Sequence, residues 1–199
     1  MSKVVVSQFM SVDGVVEDPA GIEGSGLGPW TFDFDRGPEG DQFKLDEAMA
    51  SEALLLGRVT YESFAEAWPA REGDFAGRFN RMPKYVVTTT LETLDWSNST
   101  PISRNVPEQV AALKERHGGD IMVNGSVQLV QTLAAHDLVD EYRLMVFPVV
   151  LGRGKRLFAS AEAGGVLRLT GTRTVGPDRV LILTYETRNS AMQNRSSRR

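Results

Sequence analysis

The chain contains no cysteine. Disulfides, thiolate zinc sites and iron–sulfur clusters are therefore excluded. Histidine is scarce: His117 and His136 stand far apart with no ligand spacing around them, so no metal site is expected. There is no excess of positive charge. Lys and Arg total 22 against 26 Asp and Glu, a net charge of −4. That balance provides no basic face for nucleic acid and no attraction to an anionic membrane. No apolar run reaches the roughly 20 residues of a membrane span. The opening Met1-Ser-Lys-Val-Val-Val-Ser-Gln-Phe9 lacks the apolar stretch of a secretory signal. The expectation is a cytoplasmic protein whose partner is a small molecule rather than nucleic acid or membrane. Also missing are a Gly-x-Ser-x-Gly elbow, a Walker loop and a His-Glu-x-x-His pair, which leaves nucleophilic and metal-assisted hydrolysis unsupported.

The 199 residues suit one domain, and 41% hydrophobic content suffices for a core. Lys3 to Met10, centred on Val4-Val5-Val6, reads as a strand buried on both faces. A long stretch from Val15 to about Gly40 is rich in Gly and Pro and carries Trp30, Phe32 and Phe34. Loops of that length are usually functional, and the aromatics are expected to pack on the body or on a ligand. A helix is predicted over Asp41–Ser51, with Phe43, Leu45, Ala48 and Met49 facing inward. Ala53–Leu56 is a second buried strand, Val59–Ala67 a helix stopped at Trp68-Pro69, and Arg71–Pro83 a loop. Lys84–Thr90 forms a third strand. A helix begins at Val106-Pro107 and ends before Gly118-Gly119. Asp120–Val123 is a strand, Asn124-Gly-Ser126 opens a helix to about Ala135, and Asp140–Phe147 is a fifth strand. Val166–Thr174 and Arg179–Thr187 flank Gly176-Pro-Asp178 as an antiparallel hairpin. Alternating strands and helices predict an α/β fold: a mostly parallel sheet with helices on both faces and an antiparallel C-terminal hairpin. The polar tail 189–199 is expected to be disordered, which leaves residues 1–188 as the domain.

Three clusters fall at strand carboxyl ends, where open α/β sheets bind ligands. In Leu56-Gly57-Arg58-Val59-Thr60 and Val123-Asn124-Gly125-Ser126-Val127, a glycine lets the backbone approach a ligand. The following helix offers free N–H groups and the positive end of its dipole. Thr88-Thr89-Thr90 adds three hydroxyls, and Arg58 adds a donor fork suited to phosphate. Each signal alone has a plainer explanation, as a turn or as β-propensity. Their joint placement points to an extended, multi-phosphate ligand such as a dinucleotide.

These residues carry a resemblance. Leu54-Leu-Leu-Gly-Arg-Val-Thr-Tyr-Glu-Ser63 resembles the Gly-Arg-x-Thr-(Trp/Tyr)-Glu-Ser segment of the dihydrofolate reductase-like superfamily, and more closely its riboflavin-biosynthesis reductase branch. Ser11-Val-Asp-Gly14 is similar to that branch's opening Ser-Leu-Asp-Gly. Pro148-Val-Val-Leu-Gly-Arg-Gly154 is similar to its Pro-x-x-x-Gly-x-Gly stretch. The resemblance runs from about Lys3 to Thr187. It implies a three-layer dihydrofolate reductase-like fold and an oxidoreductase that uses NADPH. Gly57, Arg58 and Thr60 would hold the adenosine side, with Thr89 and Thr90 near the 2′-phosphate, Arg58 supplying charge, and Thr88 among the cofactor-binding residues. Asn124, Gly125, Ser126 and Val127 would hold the pyrophosphate, with Asn124 standing where the family has glycine.

On the substrate side, Trp30 looks like part of the loop that closes over the nicotinamide. Asp41, counted back from Gly57, falls where dihydrofolate reductases keep a pterin-binding catalytic carboxylate. Asp33, Asp35 and Asp46 compete with it, and stabilisation of a helix N-terminus is the plainer role for Asp41. Pro148 and the basic loop of Arg153, Lys155 and Arg156 would face a phosphorylated substrate. The implied reaction is hydride transfer to a heterocyclic or ribosyl substrate, with 5-amino-6-(5-phosphoribosylamino)uracil foremost. Dihydrofolate reduction and a non-catalytic nucleotide-binding protein are the alternatives. Homodimerisation through the C-terminal strands is also implied.

Overall fold

The computed structural model describes residues 2–158 and 165–187. They build one eight-stranded sheet with strands β1 (Val4–Ser11), β2 (Ser51–Gly57), β3 (Lys84–Val87), β4 (Ser99–Ile102), β5 (Asp120–Val123), β6 (Glu141–Phe147), β7 (Leu167–Val175) and β8 (Val180–Thr187). The order is β4-β3-β2-β5-β1-β6-β8-β7. The pairings from β4 to β6 are parallel, whereas β8 runs antiparallel to both β6 and β7. The central strands earn their place by composition. Val4–Val6 and Ala53–Leu56 are almost fully buried, as strands covered on both faces must be.

Among the described residues five helices cover the sheet: α1 (Gly37–Ala50), α2 (Arg58–Ala67), α3 (Asp74–Arg81), α4 (Val106–Arg116) and α5 (Val127–Ala135). On one face α4 and α5 bury Val110, Leu113, Leu129, Val130 and Leu133 against Val4, Val6, Ile121 and Val123. On the other, Ala48, Tyr61 and Phe79 of α1, α2 and α3 pack on Leu54, Leu56 and Met122.

Three details depart from the sequence reading. Helix α1 begins at Gly37 rather than Asp41, because Pro38 at its first turn starts the helix instead of breaking it. The stretch read as loop contains α3, held by the stacked Phe75–Phe79 pair (4.5 Å) and by Trp68 (5.1 Å from each ring). Gly77 and the dense charge of this segment conceal its periodicity. Strand β4 leaves no strand signal in the sequence. It is short, polar and carries Pro101, and such a strand survives only at a sheet edge.

The Gly- and Pro-rich stretch after β1 is anchored by the buried Asp18. Its carboxylate accepts the backbone N–H groups of Glu23 and Ser25 and the Ser25 hydroxyl, at 2.8–3.0 Å. Burial alone would raise the Asp18 pKa, but these donors bring it below the ordinary value. The tail 189–199 lies outside the described residues.

Candidate functional site

A cleft of about 280 Å³ opens at the carboxyl ends of β2 and β3. Gly57, Arg58, Thr88, Thr89, Thr90 and Ser126 line it, as do Ser103, Gln128 and Thr132. Two loops distant in sequence meet there, at Gly57 and Ser126. The Gly57 N–H donates to the Gly125 carbonyl at 3.0 Å. A Cβ on Gly57 would fall 2.2 Å from Ser126 Oγ, and one on Gly125 would fall 2.6 Å from Thr60 Oγ1. The peptide bond between Gly125 and Ser126 is cis. The Gly57–Gly125 hydrogen bond sets the starts of helices α2 and α5 side by side, and neither has a side-chain cap on its first N–H groups. Such a donor set attracts phosphate.

The named residues divide by role. Arg58 is exposed and pairs with Glu62 one turn along α2, at 2.9 Å. An exposed pair at this spacing is worth only about 0.3–0.5 kcal/mol, so an arriving phosphate can displace Glu62. Thr88 is buried, and its hydroxyl already accepts the N–H groups of Thr90 and Leu91 at 3.2 and 3.1 Å. Thr89 and Thr90 are exposed to the cleft. Thr60 is buried behind Gly125. Asn124 turns its Nδ2 to the Ser7 carbonyl, 3.2 Å away on the neighbouring strand. Val127 opens α5. Ser103, Gln128 and Thr132 escaped the sequence reading. Gln128 and Thr132 sit four residues apart on α5, a spacing that places two polar side chains on one helix face; Ser103 follows the unread β4.

The substrate-side residues are not brought to this cleft. Asp41 lies exposed on α1, its carboxylate 2.6 Å from Arg36 Nε. The carboxylate that α1 directs inward is Glu47, six residues further along. Trp30 is buried, with its indole N–H on the Glu17 carbonyl (3.0 Å) and its ring edge-on to Phe147 (5.8 Å). It fills a core of Met145, Phe147, Val175, Val180 and Ile182 and presents no open face to a ligand. Phe34 is tilted against Phe147, whereas Phe32 stays 73% exposed, so not all three aromatics pack. Pro148 is exposed.

The basic loop after it is already engaged. Arg153 donates to the Gly26 carbonyl, Lys155 pairs with Glu17 at 2.5 Å, and Arg156 pairs with Asp13 at 3.2 Å. Asp13 further accepts from Ser11 and from the N–H groups of Leu151 and Gly152; the Ser11 hydroxyl leads the donors that hold its carboxyl well below the usual range. These contacts clip two loops together. Among the described residues, no helix is long and apolar enough to cross a membrane, and no cluster of His, Asp and Glu has the makings of a metal site.

An eight-stranded, mostly parallel sheet with an antiparallel C-terminal hairpin and helices on both faces defines an α/β protein of dihydrofolate reductase-like fold. Residues 2–181 match the RibD C-terminal domain, and the chain belongs to that family. The uncharacterized YyaP of Bacillus subtilis (strain 168) is 31% identical over 139 residues, covering 67% of this chain and 73% of YyaP. YwjB of the same organism is 29% identical over 174 residues, covering 87% and 92%. Among solved structures, a protein ascribed to riboflavin biosynthesis from Shewanella sp. PV-4 superposes with a TM-score of 0.71 at 21% identity, covering 94% of this chain and 99% of its own. Dihydrofolate reductase from Enterococcus faecalis, complexed with NADP(H) and RAB-propyl, gives 0.62 at 15% identity, covering 94% and 96%. A pyrimidine reductase-like protein from Corynebacterium diphtheriae gives 0.62 at 14%, covering 94% and 92%. Family and fold are those of reductases.

Proposed function

We propose that this protein is an NADPH-dependent reductase of a heterocyclic or ribosyl substrate, with 5-amino-6-(5-phosphoribosylamino)uracil the favoured candidate. The observation that carries the reading is the contact between Gly57 and Gly125, which aligns two uncapped helix starts on one cleft. The donor set fits a dinucleotide. The N–H groups opening α5, after Asn124, Gly125 and Ser126, would take the pyrophosphate. Gly57 and Arg58 would take the adenosine side, with Thr89 and Thr90 beside Arg58 at the 2′-phosphate. When bound, the cofactor supplies a hydride; the protein supplies position and electrostatics. Dihydrofolate reduction loses its expected carboxylate, because Asp41 is exposed and paired with Arg36.

Titration of the protein with NADPH, followed by tryptophan fluorescence, tests the cofactor; no response at millimolar NADPH would sink it. In Arg58→Ala, NADPH is expected to bind at least about tenfold more weakly, since a hydrogen bond to a charged group is worth roughly 1.5–3 kcal/mol. NADH should change much less, and equal losses would remove Arg58 from the 2′-phosphate. Oxidation of NADPH at 340 nm with candidate substrates then separates an enzyme from a binding protein.

A cytoplasmic homodimer joined through the C-terminal strands belongs to the same proposal. It is supported by β7, an edge strand with Leu169 half exposed. Such edges invite pairing with another copy. A monomeric mass by light scattering at micromolar concentration would exclude it.

A further inference from the structure

Beside the cleft, on the α1 face of the sheet, lies a second polar group that no residue of the dinucleotide site explains. Lys44 and Glu47 of α1 point inward at Ser7 of β1. Lys44 Nζ is 2.6 Å from both Ser7 Oγ and Glu47 Oε2, and Ser7 Oγ donates to the same carboxylate oxygen at 3.0 Å. Their side chains are 12% and 2% exposed. An ammonium has three N–H donors, and two are used here. The half-buried Phe9 ring, two residues along β1, lies 5.2 Å from Lys44 Nζ. The next strand adds Asn124, whose Nδ2 holds the Ser7 carbonyl while its Oδ1 is buried with no partner among the described residues. Gln8 Nε2 is likewise buried without an acceptor, 3.8 Å from where a Cβ on Gly125 would lie.

Each buried polar atom left unpaired costs on the order of 1–3 kcal/mol. Such atoms are few in native structures, and each requires a reason. Here one unspent donor, on Lys44, and two unspent acceptors, Asn124 Oδ1 and Glu47 Oε1, belong to residues that touch Ser7; Glu47 Oε1 has the Arg143 guanidinium 4.0 Å away, and Asn124 adjoins the Gly125 junction. A purely structural ion pair between Lys44 and Glu47 would account for neither the orphaned Asn124 oxygen nor the open third N–H. The open Lys44 N–H taken with the Asn124 oxygen, the acceptor that no cation approaches, is the complement of a cyclic amide edge, which offers a carbonyl oxygen and an adjacent N–H.

We propose that Lys44 and Asn124 are the substrate-positioning residues of this protein, with Lys44 donating to the carbonyl and Asn124 Oδ1 accepting from the N–H of a cyclic amide ring that lies against Phe9. The assignment deepens the reductase reading, on which it rests for calling this ring the substrate. Glu47 and Ser7 fix the ammonium.

The test uses 6-aminouracil as probe, titrated calorimetrically into the full chain with and without NADPH. The wild type is expected to bind it. Lys44→Met and Asn124→Leu should each weaken binding at least tenfold; Lys44→Met should change NADPH affinity less than twofold, and Lys44→Arg should restore part of the loss. Should Lys44→Met fail to fold, Asn124→Leu decides. Undiminished affinity in the variants, or no binding by the wild type, overturns the proposal. If NADPH does not bind but the probe binds in a Lys44-dependent way, the cofactor reading fails and the subsite stands.

Discussion

Gly125→Ala is expected to lose at least about a hundredfold in NADPH affinity, roughly 2.7 kcal/mol, together with a comparable loss of stability. Two independent penalties act at this position. Gly125 has φ +132°, a conformation that costs an alanine on the order of 1–3 kcal/mol. The new Cβ would also lie 2.6 Å from Thr60 Oγ1, and Thr60 is buried with little room to retreat. Relief requires the start of α5 to move away from α2. That breaks the bond from the Gly57 N–H to the Gly125 carbonyl and separates the two sets of N–H groups proposed to share the phosphates.

Gly57→Ala should act by sterics alone. Its φ of −80° suits any residue, but its Cβ would sit 2.2 Å from Ser126 Oγ and 3.0 Å from the Ser126 backbone nitrogen. Gly73 is the control. It has φ +98° but open space around it, so alanine there should cost stability and leave NADPH binding intact. Calorimetry and chemical denaturation on the three variants separate the effects. Wild-type NADPH affinity in Gly125→Ala would show that the junction does not hold the cofactor.

The second large effect concerns Lys84, which is fully buried and faces no carboxylate. Its ammonium donates to the carbonyls of Asn80, Met82 and Ser97 at 2.9–3.0 Å and sits 4.2 Å from the centre of the Trp96 ring. It thereby ties the end of α3 and the turn before β4 to the start of β3. Burial lowers its pKa from 10.5 to about 8. Between these values the unfolded chain carries a proton that the folded chain has released, so stability rises with pH, by up to about 1.4 kcal/mol per unit. Across pH 8 to 10 the gain should be about 2 kcal/mol by the same linkage. Above pH 10 the opposite effect of Tyr142, pushed up to about 12 by burial, begins to cancel it.

Lys84→Met should flatten this rise. It should also destabilise the protein at pH 7 by roughly 2–4 kcal/mol, because three inward carbonyls lose their donor. Urea denaturation at pH 8, 9 and 10 on both proteins checks the point. A wild-type stability that stays level over this range would mean that the carbonyls and the Trp96 ring keep the ammonium charged despite its burial.

Much of the fold was legible in the chain because it follows from local chemistry. Val4–Val6 and Leu54–Leu56 are continuous apolar runs, which only a strand covered on both faces accommodates. Pro107 and Gly118-Gly119 bracket α4, and Gly176-Pro-Asp178 marks the turn between β7 and β8. Gly57 and Gly125 stood out because each ends a strand and precedes a helix. The sequence alone therefore established the superfamily resemblance, the α/β class and the two helix starts that form the cleft.

What it did not contain was which side chains of α1 turn inward. Periodicity placed Phe43, Leu45, Ala48 and Met49 on the inner face and singled out Asp41. In the fold Met49 is 53% exposed and Asp41 is at the surface, while Lys44 and the buried Glu47 face the sheet. The reason is tertiary. The strands that α1 covers present Ser7 and Arg143 to it as well as apolar groups, and Glu47 reaches both, at 3.0 Å and 4.0 Å. A helix read alone shows an apolar stripe; only the sheet beneath it decides that a lysine and a glutamate are the residues it buries.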